Sequence, residues 1–342
     1  MYRKSILTAC VALALGLAGG AAHATVAGVP FAFDPTGGGS LTGGGACTTD
    51  PSAPAGTGCS LSTTIDEAPG NLLAVNSTPL TAGGTFTALY QANLSAIQDA
   101  NQFNVFSNGG SSKFFTFAAT IPEVVTGVTL NSTTASATFA LGAGSSLFQM
   151  YATTTLGNPL TGVGFTSGTP ILSATAVSLS SSFAFDTTAS TQCPTPFAIP
   201  GGPTIFTGPL DQNNTNDYPG INTGCGTGST DLTLQVTSAN AGYFPNLLSG
   251  TTLVFHFTNT SQVDPFLQVD PSALFTNILT SLTHATNVGT LNGISGPDFI
   301  FQADANGSFT RVTIVPEPAS LALLGLGLSA MALVSRRRSK NR

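Results

Sequence analysis

Residues 232–237, Leu-Thr-Leu-Gln-Val-Thr, alternate strictly between apolar and polar side chains. Successive side chains of an extended chain point to opposite faces, so this pattern predicts a β-strand with one buried face. Similar Thr-, Val- and Phe-rich segments predict further strands at 85–90, 114–119, 124–130, 135–141, 147–151, 171–185, 253–258 and 309–315. Clusters of Gly, Pro, Asn and Ser separate them. The sequence therefore predicts an all-β body, a β-sandwich or jelly-roll-like fold.

Two local patterns add detail to this body. Between Ala273 and Leu282 the apolar residues fall on one helical face after Asp270-Pro271-Ser272, which predicts one short helix packed on a sheet. Asn306-Gly307 can supply the positive φ angles of a tight turn. We therefore expect a hairpin that joins residues 298–302 to residues 308–313.

Residues 315–342 contain three blocks in a fixed order: Val-Pro-Glu-Pro at 315–318, an uncharged apolar run at 321–334, and a basic segment at 336–342. The apolar run predicts a transmembrane helix, although it is shorter than the roughly 20 residues of a full span. The basic segment, which includes Arg336, Arg337 and Arg338, should stay cytoplasmic. The body would then lie outside the inner membrane.

This arrangement closely resembles the PEP-CTERM sorting signal of Gram-negative bacteria, and Pro316, Glu317 and Pro318 match its motif. The resemblance implies an exosortase as processing partner, a membrane protease that releases or transfers the protein at the cell surface. It also implies a setting with exopolysaccharide, in a biofilm or floc. The phrase Phe-Gln-Ala-Asp-Ala-Asn at 301–306 looks like the flocculation-associated subgroup of PEP-CTERM proteins, which implies a surface protein that helps cells aggregate.

The N-terminus also predicts export. Arg3 and Lys4 precede an apolar stretch at 6–18, and Ala22-His23-Ala24 has the form of a signal peptidase site, with Ala22 and Ala24 as the small residues and Thr25 as the first mature residue. We therefore expect three parts: a signal peptide with a signal helix at 1–24, an exported β-rich body at 25–314, and the sorting signal at 315–342.

The charge of the exported part is strongly negative. Of nine Lys and Arg residues only Lys113 and Arg311 lie between the two terminal segments, whereas all fifteen acidic residues lie between Asp34 and Glu317. The formal charge up to Glu317 is therefore about −13, against −6 for the whole chain. Such a body should repel nucleic acids and other anionic polymers. Nucleic-acid binding is thereby excluded.

Four cysteines remain in the exported body: Cys47, Cys59, Cys193 and Cys225. In an oxidising compartment an even number favours disulfides, and four cysteines allow three connectivities. Pairing Cys47 with Cys59 and Cys193 with Cys225 closes the shortest loops. Their spacing does not fit a zinc site.

Few residues suggest chemistry, and we expect the protein not to be an enzyme. His256 should face solvent on its strand, and His284 follows the predicted helix. Neither a Gly-x-Ser-x-Gly elbow nor a His-Glu-x-x-His pair is present. The loop at 211–217 offers hard oxygens and predicts, at most, a calcium site formed by Asp211, Asn213 and Asp217. No other cofactor is expected.

The sequence thus favours a non-catalytic protein of the cell surface or extracellular matrix that supports floc or biofilm formation. Its expected partners are signal peptidase and an exosortase during processing, and then exopolysaccharide or like surface proteins. A secreted hydrolase acting on matrix glycans is the alternative, although the absence of tryptophan weakens a sugar-processing cleft. A weaker alternative is a calcium-, ice- or surface-binding adhesin, because the strands are rich in threonine.

Overall fold

The structure is a computed structural model that describes residues 31–38, 60–109, 113–210, 218–260 and 287–310. Within these ranges the chain forms strands and no helix, so the all-β prediction is confirmed. The strands are β1 (Phe31–Phe33), β2 (Ser60–Ser62), β3 (Thr64–Glu67), β4 (Gly70–Val75), β5 (Thr85–Gln98), β6 (Asn104–Ser107), β7 (Phe114–Leu130), β8 (Ala135–Leu141), β9 (Leu147–Thr153), β10 (Thr169–Phe185), β11 (Thr195–Ala198), β12 (Thr204–Pro209), β13 (Asn222–Gly224), β14 (Gly226–Ala239), β15 (Thr252–Thr260) and β16 (Phe299–Thr310).

Eleven of these strands form one antiparallel sheet that closes on itself. β3 and β4 both lie between β5 and β16, and β8 and β9 both lie between β7 and β10. Around the sheet the order is β3/β4, β5, β7, β8/β9, β10, β14, β15 and β16, which pairs again with β3/β4; the eleventh strand, β6, pairs with β5 beside this ring. We call this the closed sheet. Closure leaves no long strand edge open to pairing with another chain.

Every position of the ring contributes apolar side chains to the core inside the closed sheet. Phe255 on β15 lies with its ring centroid 5.0 Å from that of Phe148 on β9 and 6.4 Å from that of Phe117 on β7. Because these strands are not neighbours in the sheet, the rings meet across the interior. The two walls therefore pack face to face, as the layers of the predicted sandwich do, but their edges are joined.

Strand β1 fills one end of this interior. Phe31 and Phe33 are buried there, and the Phe33 ring centroid lies 5.2 Å from that of Phe115 and 5.3 Å from that of Phe244. Lys113 Nζ donates to Thr36 O at 2.9 Å nearby. The other end of the interior is filled less completely, and it holds the cavity described below.

The three-stranded sheet β11–β12–β13 is an insertion between β10 and β14. The predicted pairing of Cys193 with Cys225 is confirmed: the two residues form a disulfide with a Cα–Cα distance of 6.3 Å, and both are buried. Cys225 directly precedes β14, so the bond joins the start of the insertion to the closed sheet. Cys47 and Cys59 lie outside the described residues.

The predicted strands overlap observed strands, with two differences; of the prediction at 309–315 only residues 309 and 310 are described, at the end of β16. Residues 114–119 and 124–130 belong to one continuous strand, β7, rather than to two. The predicted hairpin at Asn306-Gly307 is wrong, because β16 runs without a turn from Phe299 to Thr310 and neither residue has a positive φ. Gly307 instead faces the core, where a Cβ atom would overlap the Phe255 ring. The glycine serves close packing there.

This difference predicts distinct mutational effects at the two positions. Gly307→Ala should lower the free energy of unfolding by about 1–3 kcal/mol, because the new methyl group forces the Phe255 ring to move within a full core. Asn306→Ala, at the neighbouring exposed position, should change it by less than about 0.5 kcal/mol. Urea denaturation of both variants measures the difference. A tight turn would instead require both residues, and equal losses would contradict the strand assignment.

Several predicted features lie outside the described residues. These are the helix at 273–282, the signal peptide with its cleavage site at Ala22, Ala24 and Thr25, and the sorting signal at 315–342 with its motif and arginines. Among the residues that the structure does describe, no helix has the length and apolar character needed to cross a membrane.

Candidate functional site

A cavity occupies the end of the closed sheet opposite β1. The space open to the centres of water-sized molecules is about 70 Å³; the cavity is partly open to solvent, and every position of the ring contributes to its lining. The cavity exists because small side chains project inward at this level: Ala74 on β4, Ala88 on β5 and Ala137 on β8. In the filled part of the interior the inward positions carry rings such as Phe117 and Phe148.

The rest of the lining is largely aromatic. Phe86 and Phe139 meet edge to face with ring centroids 5.4 Å apart, and Phe183 meets Phe301 in the same way at 5.0 Å. Such a surface offers an apolar molecule a large contact area. Few polar groups interrupt it, and each of them can therefore orient a ligand.

Glu123 on β7 is the acidic side chain of the lining. It follows Ile121 and precedes Val125 on the inward face of the strand, so the alternation of β7 directs it into the interior. The side chain is 8% exposed, and burial raises the pKa of its carboxyl to about 8. No described residue forms a hydrogen bond with it. At neutral pH the carboxyl group of Glu123 is thus mostly protonated.

Asn259 on β15 projects from the opposite wall, because β7 and β15 lie four positions apart in both directions round the ring. Its Nδ2 donates to Thr230 Oγ1 at 2.8 Å, and Thr230 Oγ1 lies 2.7 Å from Ser181 Oγ. Asn259 Oδ1 is buried without a hydrogen-bond partner. This wall therefore presents a free acceptor that its neighbours hold in place.

Two hydroxyls complete the polar lining. Ser77 and Thr78 follow the end of β4, where the backbone N–H of Thr78 donates to Pro297 O at 3.0 Å. Ser77 Oγ and Thr78 Oγ1 are both buried and without partners. The described residues thus leave several polar atoms of the lining without a hydrogen-bond partner.

A second buried acid lies beside the cavity. Glu67 on β3 is 2% exposed, and its Oε2 accepts a hydrogen bond of 2.5 Å from the hydroxyl of Tyr90, whose side chain contributes to the lining. Burial raises the pKa of Glu67 well above its ordinary value, and Asp304 and Asp66 nearby raise it further. The hydrogen bond from Tyr90 acts in the opposite direction. Glu67 itself is not part of the lining.

The outer face of the closed sheet carries a different arrangement. Thr138, Ser182, Ser229 and Thr258 are exposed and lie side by side on β8, β10, β14 and β15. We call these four residues the hydroxyl row. Thr126 extends it, since its Oγ1 lies 2.9 Å from Thr138 Oγ1. Neighbouring strands are roughly 4.8 Å apart, so the hydroxyls recur at about that interval across the sheet.

Of the residues considered from the sequence, the structure describes His256 but not His284 or the calcium candidates. His256 is exposed, as its strand position predicts, and its Nδ1 lies 2.8 Å from Asp231 Oδ1. The calcium candidates Asp211, Asn213 and Asp217, together with His284, lie outside the described residues. Within the described ranges no three His, Cys, Asp or Glu side chains cluster in a way that could hold a metal ion.

Sequence reasoning missed Glu123 and Asn259 as site residues. Both occupy inward positions of strands whose other inward residues are apolar, Ile121 and Val125 around Glu123, and Phe257 before Asn259. The sequence signal that could have found them is a polar residue at a position where the alternation of the strand predicts a buried apolar one.

A family model described as the PEP-CTERM protein-sorting motif matches residues 315–338. The predicted resemblance is thereby confirmed for that segment, which lies outside the described residues. The motif indicates an extracellular protein that is sorted by an exosortase through a membrane-associated C-terminal signal. No curated protein and no solved structure matches the chain.

Proposed function

We propose that this protein is a non-catalytic component of the cell surface or extracellular matrix of a Gram-negative bacterium, where it contacts exopolysaccharide and supports floc or biofilm cohesion. The sorting motif at 315–338 supports the extracellular setting. The hydroxyl row is the observation that carries the contact with polysaccharide. Its side chains both donate and accept hydrogen bonds, as sugar hydroxyls do.

The geometry of the row suits a chain of repeating units. Four hydroxyls on four adjacent strands can bind successive parts of one extended polymer, and each bond contributes about 0.5–1.5 kcal/mol at most. Such contacts are individually weak but add along the row. The acidic surface repels anionic polymers, so the fitting polysaccharide is neutral or carries amino groups.

Removing the hydroxyl row tests this proposal. The variant with alanine at Thr138, Ser182, Ser229 and Thr258 should bind the producer's own polysaccharide at least about thirtyfold more weakly in co-sedimentation, because four hydrogen-bonding groups are lost. Cells that export this variant should form weaker flocs under shear. The fold should be retained, since all four residues are exposed.

A matched control removes the same number of exposed hydroxyls from outside the row, at Thr85, Ser95, Thr169 and Thr187. This variant should sediment with polysaccharide as the unaltered protein does. If both variants bind equally well, the row is not the contact surface. If cells without the protein aggregate normally under conditions in which it is otherwise expressed, the proposed role is wrong.

A further inference from the structure

The cavity leaves several polar atoms unsatisfied inside an apolar wall. Ser77 Oγ, Thr78 Oγ1 and Asn259 Oδ1 are buried without partners among the described residues, and none of those residues forms a hydrogen bond with the Glu123 carboxyl. A buried polar group without a partner is costly, and native proteins seldom retain several of them at one place. Three such atoms line this one cavity, which favours a bound molecule that supplies the missing partners.

The charge of the lining restricts what that molecule can be. Among the residues that the structure describes, the lining has two titratable side chains, Glu123 and Tyr90, and no lysine, arginine or histidine. The Tyr90 hydroxyl already donates to Glu67 Oε2. An anionic head group would find no cation and would meet a carboxyl group in a poorly solvated space. A head group that donates hydrogen bonds, and that gains from a nearby negative charge, fits far better.

We propose that the cavity is a binding site for a small apolar primary amine, whose ammonium group pairs with Glu123 while its hydrocarbon part packs against the phenylalanine rings. A charge-assisted hydrogen bond is about twice as strong as a neutral one, which sets the amine apart from an alcohol of the same shape. Asn259 Oδ1 offers a second acceptor on the opposite wall. Ser182 of the hydroxyl row also borders the cavity, but it is exposed in register with Thr138 and Ser229 on the outer face, so the row and the proposed amine contacts use different side chains.

Binding of an amine should release a proton from the protein. Burial raises the pKa of Glu123 to about 8, and pairing with an ammonium ion lowers it, so the carboxyl group ionises on binding. Amine affinity should therefore increase from pH 6 to pH 8. Affinity for an alcohol should not increase in this way. Tyr90 does not account for such a change, because burial and the neighbouring Glu67 raise its pKa well above the ordinary value.

Three probes with one hydrocarbon tail test the site in the purified mature protein: octylamine, octanol and octanoate, measured by isothermal titration calorimetry at pH 7.5. Octylamine should bind about tenfold more tightly than octanol, and octanoate should bind least. Titrations in two buffers of different ionisation heat should show that octylamine releases protons. Equal affinities for the three probes, tightest binding of octanoate, or no binding at all would overturn the proposal.

Two variants locate the binding and a third controls for the loss of a buried acid. Glu123→Gln should remove the preference for octylamine over octanol and leave octanol affinity within about twofold. Ala88→Leu fills the cavity and should weaken octylamine and octanol alike. Glu67→Gln changes a buried carboxyl that is not part of the lining, and the preference should persist. A preference that survives in Glu123→Gln would show that the amine binds elsewhere.

Discussion

Replacing both Cys193 and Cys225 with alanine should lower the free energy of unfolding by about 4 kcal/mol. The disulfide joins residues 32 positions apart, and cross-linking a loop of that length removes roughly this amount of chain entropy from the unfolded state. Urea denaturation of the mature protein measures the loss. Alanine avoids burying a new polar group, because both cysteine side chains lie in the interior.

The loss should be concentrated in the insertion. Cys225 N donates to Phe206 O at 2.9 Å and Asp186 N donates to Cys225 O at 2.8 Å, so the half-cystine lies where β12 meets the closed sheet. Amide exchange in β11–β13 should accelerate well before exchange in β7. The control replaces Cys47 and Cys59 with alanine and should leave exchange in β11–β13 unchanged. A loss below about 1 kcal/mol for the Cys193 and Cys225 variant would contradict the entropic argument.

Local sequence patterns predicted at least part of each of the eight strands of seven or more residues, because a long strand shows which of its faces is buried, but none of the eight shorter strands. Residues 135–141 were predicted to the residue, as β8. The pattern failed within β7, where Pro122 lies between the two predicted segments. On one side of Pro122 the interruption between β8 and β9 leaves no ladder partner, and there its carbonyl accepts a hydrogen bond from Gly142 N at 2.9 Å. A missing N–H therefore costs little at this position.

Closure of the sheet could not be predicted in the same way. It depends on the pairing of β5 with β7, in which Thr85 lies opposite Val124 and Asn93 opposite Thr116. Alternation within a strand does not specify which strand lies beside it. The Asn306-Gly307 pattern was misleading for a related reason, since glycine serves both turns and close packing, and only the position of Phe255 distinguishes the two.

The cavity forms because several small residues lie at the same end of the closed sheet. Ala74, Ala88 and Ala137 are far apart in sequence, and each is an ordinary residue of a buried strand face. The pairings bring them to one end of the interior, together with Glu123. The sequence alone thus shows the polar side chain of the site, Glu123, but it does not predict the cavity beside that side chain.

The burial of Glu123 has a second measurable consequence: the free energy of unfolding should fall as the pH rises. In the unfolded chain the carboxyl group ionises near pH 4.5, whereas burial raises its pKa to about 8 in the native state. Between these values the native protein binds more protons than the unfolded chain, so the free energy of unfolding decreases as the pH rises. The shift corresponds to a decrease on the order of 4 kcal/mol between pH 4.5 and pH 8.

Glu123→Gln should remove most of this decrease, because glutamine stays neutral at every pH and keeps the shape of the side chain. The variant should match the unaltered protein near pH 4.5 and exceed its stability at pH 8.5, as measured by urea denaturation at each pH. Glu67 contributes a decrease of the same sign, since burial also raises its pKa, and this part should persist in the variant. Asp231→Asn changes an exposed carboxyl and should alter the profile by less than about 1 kcal/mol. Parallel profiles for Glu123→Gln and the unaltered protein would show that Glu123 is already ionised in the folded state, and its carboxylate would then need a permanent partner.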